Sequence, residues 1–328
     1  MAVSSDLIQA LRALEGSRVW VDAPLAPFTT IGTGGKAAAL VTVVDTSALV
    51  AALNILDDGT PWFCLGAGTD LLIADEGYPG VVVKLDDSFH YFEGMPSEPG
   101  PSEGPVTVTV GAGTLLPRFA AVAGEAGLAG LEFACGIPGS VGGAVATNAG
   151  AYGSSMAEVV QEVELADARG VSWVPVVDLT WSYRRCCLPA GAVVTAVRFA
   201  LTPGDPAEIM KRHRSILQQR RRSHPQGVRT FGCAFMNPSG GGAGRFIDAA
   251  GLKGVRRGGA EVSRVHANFL VNLGDATTAD VLALMHLMRQ EVERADNVLL
   301  EPEVRLLGTC FPWESSSAAS QGPPDTHE

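Results

Sequence analysis

The sequence predicts a mixed α+β chain of more than one domain, and three observations point there. The chain has 328 residues, 46% of them hydrophobic, which is more than one compact core usually holds. Its apolar residues fall into short runs, some at the alternating spacing of strands and some at helical spacing. Its two glycine-rich loops lack the βαβ context, with an acidic residue about 20 positions on, that a doubly wound dinucleotide fold requires.

Taken in order, residues 1–20 read as a helical lead. Strands are expected at Ala38–Val44, Trp62–Leu65 and Gly80–Leu85, with a helix at Thr46–Leu56 between the first two. Glu93–Pro105 is rich in Pro, Gly, Ser and Glu and reads as an exposed loop. A second region is richer in strands: Val106–Val110, Val160–Ala166, Val171–Pro175 and Val193–Leu201. The third region opens with a helix over Pro206–Arg222. A shorter helix, Ala243–Ala250, stops at Gly251, a normal C-terminal signal. Thr277 with Asp280 forms a capping-box pattern. It opens a helix over Asp280–Arg294 whose stripe of Val281, Leu284, Met285, Met288 and Val292 is core packing. A strand is expected at Val298–Leu307, followed by a Ser-, Pro- and Gly-rich tail, 310–328, expected to be disordered.

Composition excludes several classes. Mean hydropathy is +0.19, yet no apolar run approaches the roughly 20 residues of a membrane span. The first residues carry Asp6, Arg12 and Glu15 and have no signal-peptide core, so the chain reads as cytoplasmic. The net charge of −11 argues against nucleic-acid binding. The basic run Lys211–Arg214 with Arg220–Arg222 reads either as a solvated helix face or as a positive rim near an anionic ligand. The six cysteines (64, 135, 186, 187, 233 and 310) make no C-x-x-C pair and sit beside no suitably spaced His, so no metal site is expected. Most are expected to be reduced and buried.

Two stretches carry a ligand argument. Gly66, Ala67, Gly68, Thr69 and Asp70 follow an apolar strand, and such glycines let several N–H groups face one anion. A tight strand-to-helix turn would look the same. The second stretch, Gly136 to Gly153, is long, glycine-rich and nearly chargeless, which structure alone explains poorly. Ile137, Pro138, Gly139, Ser140, Gly142, Gly143, Asn148, Ala149 and Gly150 are its candidate ligand contacts. The residues point to a large nucleotide cofactor on a non-Rossmann frame, without naming it.

Several further segments occur in one order along the chain: Thr29-Thr30 with Gly34-Gly35, Asp75-Glu76-Gly77, Gly130-Leu131-Glu132, Tyr183-Arg184, Gly232–Pro238, Ala249–Gly254, Val262-Ser263, His266–Phe269 and Leu300–Arg305. With the two glycine stretches, they make the chain resemble the UDP-N-acetylenolpyruvoylglucosamine reductases of bacterial cell-wall synthesis, from about Val21 to Gly308. The resemblance implies the FAD-binding fold of the vanillyl-alcohol oxidase type: two subdomains at about 21–90 and 106–203, then an α+β substrate-binding domain at 204–309. It implies non-covalent FAD, NADPH as co-substrate, a UDP-sugar substrate and a monomer. The short spacing from Tyr183-Arg184 to Gly232 matches the branch without a substrate-covering insertion.

The resemblance also implies site roles. Arg184 stands at the catalytic arginine, suited to a bidentate grip on the substrate carboxylate. Glu303 stands at the catalytic glutamate, with a raised pKa or a polarising role expected beside Arg184. Cys233 stands where the family usually has a proton-donating serine. A thiol, at about 8.5 when unperturbed, is the stronger acid of the two. Tyr183 and Asn237 are expected substrate contacts. Asp70, Met236 and Glu261 replace the usual Asn, Lys and Gln, with Lys253, Arg256, Arg257 and Arg264 available to compensate for the charge lost at Met236. The competing readings are an oxidoreductase of the same fold with another substrate, and a non-catalytic flavin-binding paralogue.

Overall fold

The structure is a computed structural model, and it describes residues 3–57, 59–97 and 104–314. The chain divides into two compact units, each assembled from separate stretches.

The first unit comprises Met1–Ala23, Ala37–Ala67 and Pro79–Ser223. It contains a four-stranded sheet in the order Ser17–Pro24, Lys36–Val43, Tyr78–Leu85, Trp62–Cys64, its last pair parallel. Helix α1 (Ser5–Ala13) is capped by Ser4. Helix α2 (Thr46–Leu56) is capped by Asp45, whose carboxylate accepts the Ala48 N–H. Its buried face of Ala48, Leu49, Ala52, Leu53 and Leu56 follows helical spacing, so one stripe enters the core.

The larger sheet of this unit is antiparallel. It runs Gly170–Pro175, Val160–Asp167, Val193–Pro203, Val106–Gly111, Phe92–Glu93, with Leu128–Ala129 pairing the far end of Val193–Pro203. Val193 to Val197 are all buried, as befits the central strand. Helix α3 (Leu116–Glu125) lays Phe119 against Phe199 at 5.0 Å between ring centroids. The short helix α4 (Val141–Ala146) lies in the long glycine stretch. Helix α5 (Pro206–Ser223), expected to head the C-terminal domain, packs on α3 and belongs to this unit. Gly124 permits the approach: a Cβ there would come within 3.0 Å of Met210 Sδ. Ile209 and His213, one turn apart, are the buried residues of α5, while Lys211, Arg212 and Arg214 face solvent.

The second unit comprises Pro24–Lys36, Gly68–Tyr78 and His224–Glu328. Two segments that read as part of the N-terminal subdomain thus belong with the C-terminal residues. The reason is pairing: Leu71–Ile73 runs parallel to Arg305–Leu307, and Thr278 Oγ1 donates to the Ile73 carbonyl at 2.6 Å. A three-stranded antiparallel sheet joins Arg256–Arg257, Ala260–Val262 and Leu270–Asn272. Helix α6 (Ala243–Ala249) and helix α7 (Thr278–Asp296) complete the unit. The expected Thr277–Asp280 capping box is present, and Asn297 ends α7 in the left-handed conformation at φ 54°. Asp75 adds a second cap, accepting the Thr278 and Ala279 N–H groups at 2.8 and 2.9 Å.

Three expectations need correction. Of Val298–Leu307, only Arg305–Leu307 is strand, because Pro302 offers no N–H to continue a ladder and makes an isolated bridge to Phe235. Cys310–Glu314, assigned to a disordered tail, is ordered: Phe311 is buried and stacks on Trp313 at 4.7 Å, with the Arg289 guanidinium 4.9 Å from the Trp313 ring. The remainder of the tail and part of the Glu93–Pro105 loop lie outside the described residues. Burial is also less general among the cysteines than expected. Cys135 and Cys186 are buried, but Cys187 and Cys310 are exposed. Cys186 and Cys187 are neighbours on one strand, so their side chains take opposite faces. Burial pushes the Cys186 thiol up to about 11. Among the described residues no cysteine is disulfide-bonded, no cluster suits a metal ion, and no helix is long and apolar enough to cross a membrane.

Candidate active site

In the first unit the two glycine stretches meet. Gly66 and Ala67 follow strand Trp62–Cys64, and a Cβ at position 66 would stand 2.9 Å from Ser140 Oγ. A Cβ at position 142 would likewise stand 2.9 Å from the Ala112 Cβ. Ser140 caps α4 by accepting the Gly143 N–H. Ile137, Pro138 and Gly139 form the turn before it, with Gly139 at φ 138°. Added methyl groups at Gly66 and Gly142 would collide with neighbouring protein atoms, so the two stretches pack closely and present backbone and small side chains. A flat, extended group such as FAD could lie against such a surface, and Gly66, Ala67 and the Ile137–Gly143 turn are the residues of this unit that would hold it.

Asn148, Ala149 and Gly150 continue the stretch. Asn148 is buried and sits at φ 42°, a conformation that Asn tolerates better than most residues. Its Nδ2 donates to the Ser182 carbonyl at 2.9 Å, and its Oδ1 accepts the Ala157 N–H. The carboxamide thereby ties the glycine stretch to the Ser182 end of the next hairpin. Strands Thr180–Ser182 and Arg185–Cys187 form a hairpin whose turn residues are Tyr183 and Arg184. Arg184 is held at φ 58°, a strained conformation for a non-glycine residue, of the kind that clusters at working sites. Its Nη1 donates to the Gly150 carbonyl at 2.8 Å, and its guanidinium lies 5.4 Å from the Tyr183 ring centroid. Tyr183 itself is 56% exposed.

The second unit brings Cys233 and Glu303 onto neighbouring segments. Gly232, at φ 87°, turns the chain into Cys233–Met236. The Glu303 N–H donates to the Ala234 carbonyl, and the Met236 N–H donates to the Glu301 carbonyl. Cys233 is half-buried and bridges Phe269 on the other side. Asn237 accepts the Ala243 N–H at 3.0 Å and thereby steadies the start of α6. Gly68, Thr69 and Asp70 also lie in this unit. Gly68 is at φ 64°, and a Cβ there would stand 1.9 Å from the Phe28 carbonyl oxygen, so no other residue fits. The Arg305 N–H donates to the Asp70 carbonyl.

Glu261 is buried and pairs with both Arg256 and Arg264. Burial works to raise its carboxyl, but the bonds from the two arginines prevail and hold it below the usual range. Lys253 is paired with Asp248. Three of the four cations expected to offset the charge lost at Met236 are therefore already engaged by carboxylates.

Sequence reasoning gave no role to Asn268 or Asp75, although both lie in segments that carry the resemblance. The signal in each case is a short polar residue beside a strand end or a helix start, and only the packed structure says what it caps.

The first unit defines the class: a flavin-binding oxidoreductase frame. A family model described as FAD binding domain matches residues 37–173. A second, described as UDP-N-acetylenolpyruvoylglucosamine reductase, C-terminal domain, matches 224–307. Among relatives of that name, one from Anaeromyxobacter sp. (strain Fw109-5) is 46% identical over 288 residues, 88% of each chain. Another, from Myxococcus xanthus, is 42% identical and covers 93% of this chain and 97% of its own. The crystal structure of the reductase from Thermus caldophilus superposes with a TM-score of 0.75 at 37% identity, covering 89% of this chain and 98% of that one. The chain belongs to the UDP-N-acetylenolpyruvoylglucosamine reductase family. The α+β expectation and the FAD-binding expectation both hold.

Proposed function

We infer that this chain reduces UDP-N-acetylenolpyruvoylglucosamine to UDP-N-acetylmuramate, with FAD as cofactor and NADPH as electron donor, in peptidoglycan precursor synthesis. The observation that carries the site assignment is the placement of Cys233 and Glu303 on adjacent, backbone-paired segments of the second unit.

Bound FAD supplies the hydride for the terminal alkene carbon. The residues manage charge and the proton. The carboxylate conjugated to the alkene gains negative charge as the hydride arrives, and Arg184, whose planar guanidinium matches a carboxylate, is the group suited to bind it. Its tie to Gly150 and the Asn148–Ser182 bond fix the turn that presents it. Cys233 gives its thiol proton to the neighbouring carbon and is left as thiolate until solvent returns the proton. Glu303 is assigned a polarising role in the reacting region. Tyr183 and Asn237 are the proposed substrate contacts, and Gly66–Asp70 with the Ile137–Gly150 stretch the proposed FAD contacts. The enzyme is taken as a cytoplasmic monomer without nucleic-acid or membrane partners.

The test is NADPH oxidation by purified, FAD-loaded protein with and without UDP-N-acetylenolpyruvoylglucosamine. Substrate-dependent consumption is expected. Reduction of the flavin that the substrate never reverses would assign the chain another acceptor.

A further inference from the structure

We propose that Asn268 is the positioning residue that holds the Cys233 segment, and Glu303 paired to it, in place within the unit, by supplying both hydrogen bonds of the Phe235 peptide groups from one side chain. This rests on the reading of Cys233 as proton donor and Glu303 as its neighbour in the site.

Three segments of the second unit run side by side: 266–269, 233–236 and 301–303. On one flank the Ala234 N–H donates to the Asn268 carbonyl at 2.8 Å. On the other flank the Ala234 carbonyl accepts from Glu303 N–H at 3.0 Å, and the Met236 N–H donates to the Glu301 carbonyl at 2.9 Å. Phe235, between Ala234 and Met236, is fully buried. Its N–H donates to Asn268 Oδ1 at 3.0 Å, and its carbonyl accepts from Asn268 Nδ2 at 2.7 Å. The carboxamide therefore stands in for a peptide group and completes a two-bond rung with Phe235. Asn268 is itself only 1% exposed, so water cannot take over these bonds.

The anchor behind Asn268 is firm. Its N–H donates to His266 Nδ1, and Ser263 Oγ accepts the Val265 and His266 N–H groups. The 233–236 segment is thus pinned against 266–269 by a side chain and carries 301–303 on its far edge. If the Phe235 rung is lost, Cys233 and Glu303 shift together relative to the rest of the unit. The predicted casualty is proton delivery, which depends on the Cys233 position, and flavin reduction by NADPH is spared.

The experiment separates the two half-reactions by anaerobic stopped flow on FAD-loaded wild type, Asn268→Ala and Asn268→Asp. Flavin reduction by NADPH is expected to stay within about twofold of wild type, while reoxidation by UDP-N-acetylenolpyruvoylglucosamine falls about tenfold or more, the scale of small misplacements. Asn268→Asp adds a readout that a generic loss of stability would not move. A protonated carboxyl donates and accepts like the carboxamide, so its reoxidation rate, relative to wild type at each pH, is expected to recover as pH falls from 8 to 6. Equal losses in both half-reactions, unchanged reoxidation, or a flat pH ratio in Asn268→Asp would overturn the inference. If Asn268→Ala does not fold, Asn268→Asp carries the same comparison. A wild-type flavin that the substrate never reoxidises would instead bring down the underlying reading, an outcome seen before any variant is compared.

Discussion

Asn148 holds Ser182: the buried carboxamide of one donates at 2.9 Å to the main-chain carbonyl of the other, immediately before the Tyr183-Arg184 turn. A second bond, Arg184 Nη1 to the Gly150 carbonyl, runs in the opposite direction between the same two stretches. The glycine-rich segment and the arginine turn are thus laced together by a reciprocal pair. Asn148→Ala removes one lace and leaves the Ala157 N–H and the Ser182 carbonyl without their partner, a loss of about 0.5–1.5 kcal/mol for each of these part-buried bonds. The expected result is a lowered Tm and a fall in kcat/KM for the UDP-sugar of about tenfold, dominated by KM, because Arg184 is the proposed carboxylate anchor. Steady-state kinetics with the substrate varied at fixed NADPH checks it.

Two glycines only two positions apart should respond very differently to the same change. Gly68→Ala forces a Cβ to within 1.9 Å of the Phe28 carbonyl oxygen at φ 64°, and a cost on the order of 3–5 kcal/mol is expected, enough to abolish soluble expression. At Gly66 the backbone is unstrained and the obstacle is Ser140 Oγ at 2.9 Å, part of a side chain that can yield somewhat. Gly66→Ala is expected to fold, lose roughly 1–2 kcal/mol, and bind FAD more weakly. Thermal melts with and without added FAD distinguish the two.

Cys233→Ala is expected to lower kcat by about 10²-fold or more, the usual size of a general-acid contribution, with NADPH reduction of the flavin little changed. Cys233→Ser should restore much of the lost rate, since it returns a donor on the same backbone turn. Full turnover in Cys233→Ala would remove the proton-donor role.

Stability should depend on pH through His213. Burial pushes this imidazole below its ordinary 6.5, outweighing the opposing pull of Glu132 and Glu125. Its Nε2 has no hydrogen-bond partner among the described residues. A depressed folded-state value means that the unfolded chain takes up a proton first. Stability is therefore full above about pH 6.5 and is lost as pH falls from there toward the folded value. His266, lowered by burial and by Lys253, acts in the same direction. Tm measured from pH 8 to pH 5 should fall, and His213→Leu should flatten that slope. An unchanged slope would mean that other groups set the acid sensitivity.

Much of the frame was legible because local rules sufficed. The capping box at Thr277 and Asp280 announces α7, and the alternating Val residues announce the strands of the larger sheet. What resisted reading depends on residues far apart in sequence. Leu71–Ile73 is a three-residue strand whose partner is Arg305–Leu307, and nothing local marks it. Val298–Leu300 looks like strand, yet Pro302 stops the ladder, so apolar content misled where hydrogen-bond supply decided. The proximity of Cys233 to Glu303 arises from the Ala234–Glu303 pairing, which periodicity cannot reveal. The resemblance named both residues, and only the structure supplied Asn268 as the group that holds them in place.

The pairing of Leu71–Ile73 with Arg305–Leu307 also bears on synthesis. A strand made early in translation must wait unpaired until Arg305–Leu307 has left the ribosome. The first unit has all its residues by Ser223 and can close while the rest is still being made. The second unit cannot, since its two early segments lack their C-terminal partners, Asn272, Thr278 and Arg305–Leu307, until those are made. Its assembly is consequently the late and slow event, and the interval between the two is when the nascent protein is most open to mispairing and to chaperone capture.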